Sequence, residues 1–254
     1  MTRTLPRTNF HSSKLVRCLA DLGMVDTVNP ANGFAEKLAS WVPFSDAITL
    51  SAVHNDRIAT SPKLRPEART TVHDAVNAEF SRIQAFLITS IKNSCSPRAA
   101  RTHISLPAPI LELPMNLAAA YTPYRRFYEA QQRDMELSIR PLRFNVRETV
   151  AKASPRLAKL AELDAVLEKI LYERERQLLS KVAVLLKKRL EQLYKEHQQK
   201  LIELQQADNP AGWTQAGGWL ARFCNDMQML LLAEVELRLQ PTIGLMEALK
   251  QDMQ

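Results

Sequence analysis

Hydrophobic and polar positions along this chain follow the period of an α-helix over most of its length. The apolar positions from Val72 to Ile91 are separated by four, four, three, four and four residues, which predicts one amphipathic helix starting near Pro66. Shorter periodic segments near Ser13 and Ser45 precede it. We therefore expect a small cluster of helices in the N-terminal part of the chain.

Two helix start signals lie in the second half of the chain. Thr122-Pro123 and Ser154-Pro155 each place a capping residue before a proline, an arrangement that favours the first turn of a helix. The first signal predicts a helix that runs up to the second, with a kink or a break near Pro141. The sequence does not decide between a kinked and a broken helix.

The stretch 155–206 predicts one long helix. Its 52 residues contain no glycine, and no proline after Pro155 at the first position, so a single helix would measure roughly 78 Å at about 1.5 Å per residue. Apolar residues recur along it every eleven positions: Leu160, Leu171, Val182, Leu193 and Leu204. Eleven residues fill three helical turns almost evenly, so these positions predict a nearly straight packing seam with coiled-coil character. The alternative is an ordinary bundle helix in which the spacing has no special role.

The C-terminal part predicts a helical hairpin or bundle. A turn is expected at 208–212, followed by a last helix that starts near Gly218 and is interrupted at Pro241. The predicted fold is all-α, a small N-terminal helical cluster followed by a long helical hairpin or bundle. Its expected parts are the cluster at 1–92, a proline-rich connector at 93–121 and the long-helix bundle at 122–254.

The composition argues against the common enzyme classes. Only six glycines occur, and none lies between Phe34 and Ala211. Phosphate-binding loops, dinucleotide-binding turns and hydrolase nucleophile elbows need glycines at fixed spacing, and none of these patterns is present. No histidine follows a glutamate by three residues, which is the spacing of helical di-iron sites. We therefore expect no enzyme activity, no cofactor and no metal.

Charge and cysteine content favour a cytoplasmic location. The net charge is +7, with basic and acidic residues interspersed, which is a weaker basic bias than that of dedicated nucleic-acid binders. We find no apolar run typical of a secretion signal, and none of the about 18 residues that a membrane span requires. Three cysteines lie far apart at Cys18, Cys95 and Cys224, as expected for reduced thiols.

Arginines form the candidate binding site. Five of them cluster along one predicted helix: Arg126, Arg133, Arg140, Arg143 and Arg147. Glu129 and Glu136 can neutralise some of the first three locally. The last two have no acidic residue three or four positions away. Their charges must meet acids on adjacent helices, such as Glu173 and Glu175, or else an acidic protein partner or phosphates.

Aromatic residues near the arginines allow two interpretations. They are Tyr121, Tyr124, Phe127 and Tyr128. Aromatic rings beside arginines are typical of single-stranded nucleic-acid binding or of a protein hot spot, but Tyr124 and Tyr128 also lie near the core side of the predicted helix, which we favour. Trp213 and Trp219 flank a turn and are expected to hold the hairpin, whereas His197 is expected to be exposed.

Several short segments carry a resemblance to a known family. They are Tyr124-Arg125-Arg126-Phe127-Tyr128, Gln132-Arg133-Asp134-Met135-Glu136, Arg140-Pro141-Leu142-Arg143, Leu163-Asp164 with Leu167-Glu168, and Arg174-Glu175-Arg176. The chain resembles, over most of its length, an uncharacterised proteobacterial family of helical proteins of about this size. The resemblance implies no activity, cofactor or catalytic residue. It implies a setting beside envelope proteins similar to flagellar-stator or TolQ/ExbB-type channel subunits and OmpA-like peptidoglycan binders.

The sequence thus favours a non-enzymatic helical scaffold or adaptor that binds other proteins. Candidate partners are an ion-driven envelope complex and a second copy of the chain. The alternative is a nucleic-acid-associated protein that binds phosphates through its arginine-rich helix. The two hypotheses differ in salt dependence, because phosphate binding weakens steeply as the salt concentration rises.

Overall fold

The computed structural model describes residues 13–25, 40–55, 66–95 and 103–253, and this part of the chain contains six α-helices and no strand. The helices are α1 (Lys14–Asp21), α2 (Phe44–Asn55), α3 (Pro66–Ser94), α4 (Leu117–Ala151), α5 (Pro155–Leu204) and α6 (Trp219–Gln251). A short 3-10 turn at Pro210–Gly212 lies between the last two helices. The predicted all-α fold is confirmed.

Helices α4, α5 and α6 pack against one another and form a three-helix bundle. Only three residues separate α4 from α5, which makes these two helices antiparallel neighbours. Helix α6 is the most central, because it also contacts α1 and α3, while α2 lies on α5. As a result, 14 of its 33 residues are buried. The apolar side chains of α1 and α3 join the same core as the bundle.

Helices α1 and α3 follow their sequence pattern, whereas α2 buries none of its residues and leaves Ile48 exposed. Helix α3 buries four positions of the predicted stripe: Val76, Phe80, Leu87 and Ile91. Helix α1 follows Ser13 and buries Leu15 and Leu19. The segments 26–39 and 96–102, the latter within the predicted connector, lie outside the described residues.

The start and end of α5 agree with local signals. The Ser154 side chain accepts a hydrogen bond from the backbone N–H of Leu157 at 3.4 Å, and Pro155 occupies the first turn. At the other end, Gln205 adopts a left-handed conformation with a φ of 50°, and the residues after it turn the chain back. The predicted long helix is therefore present, with 50 residues.

The expected start of α4 at Thr122 is wrong. The helix begins at Leu117. The Asn116 side chain accepts hydrogen bonds from the backbone N–H groups of Ala118 and Ala119, both at 3.1 Å. It then passes through Pro123 without ending. The extra turn brings Tyr121 into the core, and burial of an aromatic side chain outweighs the hydrogen bond that a proline removes.

Prolines inside helices do not interrupt them here. Helix α4 continues through Pro141, and α6 continues through Pro241, where the sequence predicted an interruption. Pro141 is exposed, so the carbonyl group of Leu137, which loses its intrahelical donor, is on the solvent side of the helix. Packing on either side keeps the two halves of each helix together.

The eleven-residue pattern of α5 describes its packing only in the middle of the helix. Val182 and Leu193 are buried, whereas Leu160 and Leu204 are exposed and Leu171 is half-buried. A helix of 50 residues packs here against helices of 35 and 33 residues. Its ends therefore have fewer neighbours, and a continuous seam from 160 to 204 does not form within the part of the chain that the structure describes.

The tip of the hairpin between α5 and α6 is held by Asp208. Its carboxylate accepts hydrogen bonds from the indole N–H of Trp213 at 2.7 Å and from Gln198 at 2.9 Å, and it pairs with His197 at 2.9 Å. Burial alone would raise the pKa of Asp208, but these hydrogen bonds outweigh burial and lower it. His197 is therefore half-buried rather than exposed, and Trp213 packs against Trp219 with ring centroids 5.5 Å apart.

A glycine at this tip allows the chain to approach itself closely. The Trp213 carbonyl accepts hydrogen bonds from two backbone N–H groups in the first turn of α6, at 3.1 and 3.0 Å. A Cβ atom on Gly218 would overlap that carbonyl. We expect Gly218→Ala to lower the free energy of unfolding by about 1–3 kcal/mol. Gly212→Ala is the matched control because no atom lies within 4 Å of its Cβ position. Equal denaturant midpoints for the two variants would contradict the prediction.

Candidate binding surface on helix α4

Arg143 and Arg147 are paired within the fold. Arg143 contacts Asp164 at 2.5 Å, and Arg147 contacts Asp164 at 2.8 Å and also binds Glu168. The two arginine side chains are only 13% and 11% exposed. Burial would lower the pKa of Arg147, but its hydrogen bonds to the two acids raise it. The acids of α5 that pair with these arginines are thus Asp164 and Glu168, and not Glu173 and Glu175, which the sequence suggested.

The other three predicted arginines lie on the surface and pair with no acid that the structure describes. Arg126, Arg133 and Arg140 are exposed, and no carboxylate of the described residues forms an ion pair with any of them. Glu129 pairs with Arg125 at 2.7 Å instead, and Glu136 accepts a hydrogen bond from a tyrosine. These two glutamates therefore form no ion pair with Arg126, Arg133 or Arg140.

Two apolar side chains share the exposed face of α4 with these arginines. Leu137 is 75% exposed and Phe144 is 56% exposed. Together the five residues are spaced 7, 4, 3 and 4 positions apart and follow one side of the helix. We call this surface the α4 ridge: Arg126, Arg133, Leu137, Arg140 and Phe144.

An apolar groove between α3 and α4 runs beside the ridge. Its volume is about 320 Å³, and Ile83, Phe86, Leu137 and Pro141 contribute apolar walls. Phe86 is 55% exposed, and Glu79 and Arg82 give the groove a polar rim. Exposed aromatic and aliphatic side chains grouped in this way mark interaction surfaces more often than isolated ones do. The ridge and the groove therefore form one continuous candidate interface.

The sequence contains a signal for this surface, namely apolar residues opposite the core face of α4, that the search for arginines did not use. The core positions of the same helix are Met135, Leu142 and Val146, and Leu137 and Phe144 fall out of phase with them. Apolar residues opposite the core face of an amphipathic helix point to a second contact surface. Phe86, in contrast, could not be assigned to the groove without knowing how α3 packs on α4.

The aromatic residues near the start of α4 belong to the core. Tyr121, Tyr124, Phe127 and Tyr128 are all buried. Tyr124 packs edge-to-face against Phe223 of α6 with ring centroids 5.4 Å apart. These rings are therefore not available to stack with nucleic-acid bases, and the core interpretation is confirmed.

A polar cleft lies where α4, α5 and α6 meet. Arg140, Arg143, Arg176 and Arg238 line it together with Tyr172, Glu136, Glu168 and Glu175, over a volume of about 60 Å³. Behind the cleft, the fully buried Glu234 accepts hydrogen bonds from Arg238 at 2.9 Å, Tyr128 at 2.9 Å and Gln132 at 3.0 Å. Arg238, which lines the cleft, is thus paired with a carboxylate in the bundle core.

Other candidate chemistry is sparse among the described residues. No group of three or more histidine, cysteine, aspartate or glutamate side chains there could hold a metal ion. Burial raises the pKa of the Cys95 thiol to about 11 and that of Cys224 to about 12, so both are protonated near neutral pH. None of the helices described is both long enough and apolar enough to cross a bilayer.

The described residues form an all-α helical bundle with an exposed ridge of arginine and apolar side chains on α4. The chain belongs to the family described as a protein of unknown function, DUF3348, whose model matches residues 1–251. This agrees with the expected membership of an uncharacterised family of proteins of about this length. No curated protein matches the sequence. No solved structure matches it either.

Proposed function

We propose that this protein is a non-enzymatic helical scaffold or adaptor whose α4 ridge binds a helix of another protein. The partner helix would carry an apolar face flanked by acidic side chains. The observation that carries this proposal is the exposure of Leu137 and Phe144 on one helix face beside arginines that have no acidic partner among the described residues.

The composition of the ridge supports a protein partner. Arginine and aromatic residues are enriched at the positions that dominate protein–protein binding. Burial of Leu137 and Phe144 would each contribute roughly 1.5–3 kcal/mol if complete, and the groove beside them extends the apolar area. Arginines along the same face that pair with no described acid favour a partner of opposite charge and speed its association.

We further propose a biological setting beside the cell envelope. The family resemblance favours a cytoplasmic accessory of an ion-driven envelope complex, with channel subunits similar to those of TolQ/ExbB or flagellar stators as partners. Acidic cytoplasmic helices of such subunits would match the charge of the ridge. A second copy of the chain is a competing occupant that light scattering across a concentration series would reveal as an increase in mass.

The proposal predicts that the double variant L137E/F144E no longer binds the partner. The tagged protein would be purified from its native host after nuclease treatment, and the captured protein would then be tested with purified components. Both substituted residues are exposed, so the fold is expected to persist, which circular dichroism would check. The matched control is V184E/I202E, because Val184 and Ile202 are also exposed, on α5.

The expected result is capture by the wild-type protein and by the control, and loss with L137E/F144E. Binding must also depend on an acidic helix of the partner, so that deleting this helix abolishes it. Retention of the partner by L137E/F144E would refute the assignment of the ridge.

Nucleic-acid binding is a second candidate function, favoured by Arg126, Arg133 and Arg140, which pair with no acid among the described residues. Because Arg143 and Arg147 are already bound to acids, few phosphate contacts remain. Three contacts predict a slope of log affinity against log salt of only about −2 to −3. Loss of the captured material on nuclease treatment would favour this function over the adaptor.

A further inference from the structure

Pro141 leaves a hydrogen-bond acceptor without its donor in the middle of α4. A proline has no backbone N–H, so the carbonyl group of Leu137, four residues earlier, lacks the donor that a helix normally supplies. No side chain of the described residues donates a hydrogen bond to this carbonyl group. Both residues are exposed, so a donor from another molecule can reach it.

This carbonyl group borders the apolar groove between α3 and α4. Leu137 and Pro141 line the groove together with Ile83 and Phe86 of α3. Its volume of about 320 Å³ is at the lower end of the range for sites that bind small molecules. Such sites combine apolar walls with a few fixed polar groups, which include backbone carbonyl groups. The groove has both features.

The charges at the rim of the groove cancel. Among the residues that line it, Arg82 is the cation and Glu79 is the anion. Glu79 also accepts a hydrogen bond from Asn145 at 3.3 Å. A charged group that entered the groove would lose its hydration against apolar walls without gaining a counter-charge. The groove therefore favours an uncharged, largely apolar side chain that carries one donor.

Tryptophan is the side chain with these properties. Its indole ring is large and apolar, and its N–H is a donor without any acceptor capacity. Phenylalanine would fill the groove but leave the carbonyl group without a donor. A tyrosine hydroxyl would donate, but it would bring lone pairs that need partners of their own. Tryptophan is also enriched at the positions that dominate protein–protein binding.

The arginines of the α4 ridge indicate what surrounds this tryptophan in the partner. Arg133 lies four residues before Leu137 and Arg140 lies three residues after it, about one helical turn to either side. Neither arginine pairs with a described acid. A helix aligned with α4 would match them with acidic side chains three or four positions before and after its tryptophan.

We propose that the groove between α3 and α4 is the pocket for a tryptophan side chain of the partner helix, whose indole N–H donates a hydrogen bond to the carbonyl group of Leu137. The inference rests on the proposed function, because it names the side chain with which the partner engages the α4 ridge and the groove beside it.

N-acetyl-tryptophanamide tests the pocket, and its 1-methyl analogue is the matched probe that lacks the indole N–H. Binding to the full chain is measured by NMR chemical-shift titration. The wild-type protein is expected to bind the first probe about two- to tenfold more tightly than the second, the range for one hydrogen bond. Pro141→Ala supplies the missing backbone N–H to Leu137 and keeps the helix, so the two probes should bind this variant about equally.

A pair of phenylalanine variants tests the walls of the pocket. Phe86→Ala removes an apolar wall and should weaken both probes about threefold or more. Phe44→Ala is the matched control, because Phe44 is 82% exposed on α2, outside the groove, and it should bind as the wild type does. Absence of saturable binding to the wild-type protein, or equal effects of the two variants, would overturn the pocket. An unchanged ratio of the two probes in Pro141→Ala would overturn the hydrogen bond.

Failure of this inference and failure of the adaptor function give different results. Binding of N-acetyl-tryptophanamide in the groove without capture of any helical partner would support the pocket and overturn the adaptor function. Capture of a partner that is lost with L137E/F144E, but that tolerates phenylalanine in place of every tryptophan of its binding helix, would support the ridge and overturn the tryptophan pocket.

Discussion

Glu234→Ala is expected to lower the free energy of unfolding by about 3–5 kcal/mol, the range for breaking a buried ion pair. Glu234 is 0% exposed and accepts hydrogen bonds from α4 and from its own helix. Its removal would leave Arg238 and Tyr128 without their acceptor in the bundle core, and Gln132 would keep only the carbonyl group of Leu179. Urea denaturation followed by circular dichroism measures the loss.

Glu236→Ala is the control for this experiment, because it makes the same substitution in the same helix at the surface. Glu236 pairs with Lys14 at 2.9 Å, and both side chains are about half exposed, so the expected loss is below about 1 kcal/mol. Glu234→Gln keeps the side-chain size and part of the hydrogen bonding. Its loss in free energy of unfolding should lie between those of Glu234→Ala and Glu236→Ala. Similar losses for Glu234→Ala and Glu236→Ala would show that the buried network does not stabilise the bundle.

Asp226→Ala is expected to destabilise the protein by a similar amount, about 3–5 kcal/mol. Asp226 and Arg189 form an ion pair at 2.8 Å between α6 and α5, and their side chains are 6% and 5% exposed. Without the acid, Arg189 would remain charged in the core. Arg189 also donates a hydrogen bond to the carbonyl group of Leu22 at 3.4 Å, so hydrogen exchange should additionally report faster opening of α1.

A double variant separates the cost of an unpaired charge from the value of the pair. Arg189→Met combined with Asp226→Leu removes both charges and is expected to be less destabilised than Asp226→Ala alone. Glu196→Ala, which breaks an exposed pair with Arg222 at 3.7 Å, serves as the surface control. If Asp226→Ala lowers the free energy of unfolding no more than Glu196→Ala does, the pair of Arg189 and Asp226 does not stabilise the fold.

Both expected effects concern residues that the sequence did not single out. Glu234 and Arg238 are four positions apart, and this spacing is also that of ordinary surface pairs on helices. Arg189 and Asp226 are 37 residues apart and carry no local pattern. Their burial depends on how three helices pack, and no feature within one helix records that packing.

The candidate site was predicted in part. The arginine positions on α4 were identified, but the five residues divide into two groups with different surroundings. Arg143 and Arg147 bind Asp164 on α5, whereas the remaining three stay exposed. The angle of each side chain around the helix sets this division, together with the acids that the neighbouring helix brings opposite it.

Secondary structure was determined by the sequence itself, wherever the signals act within a turn or two. The apolar period of α3, the Ser154 cap and the glycine-free and proline-free stretch of α5 specify helices that the structure contains, because backbone hydrogen bonds and caps join residues close in sequence. Tertiary structure alone decided that α4 begins at Leu117 and that the ends of the eleven-residue pattern are exposed. It also decided which charges are neutralised, because these outcomes depend on contacts between helices that are distant along the chain.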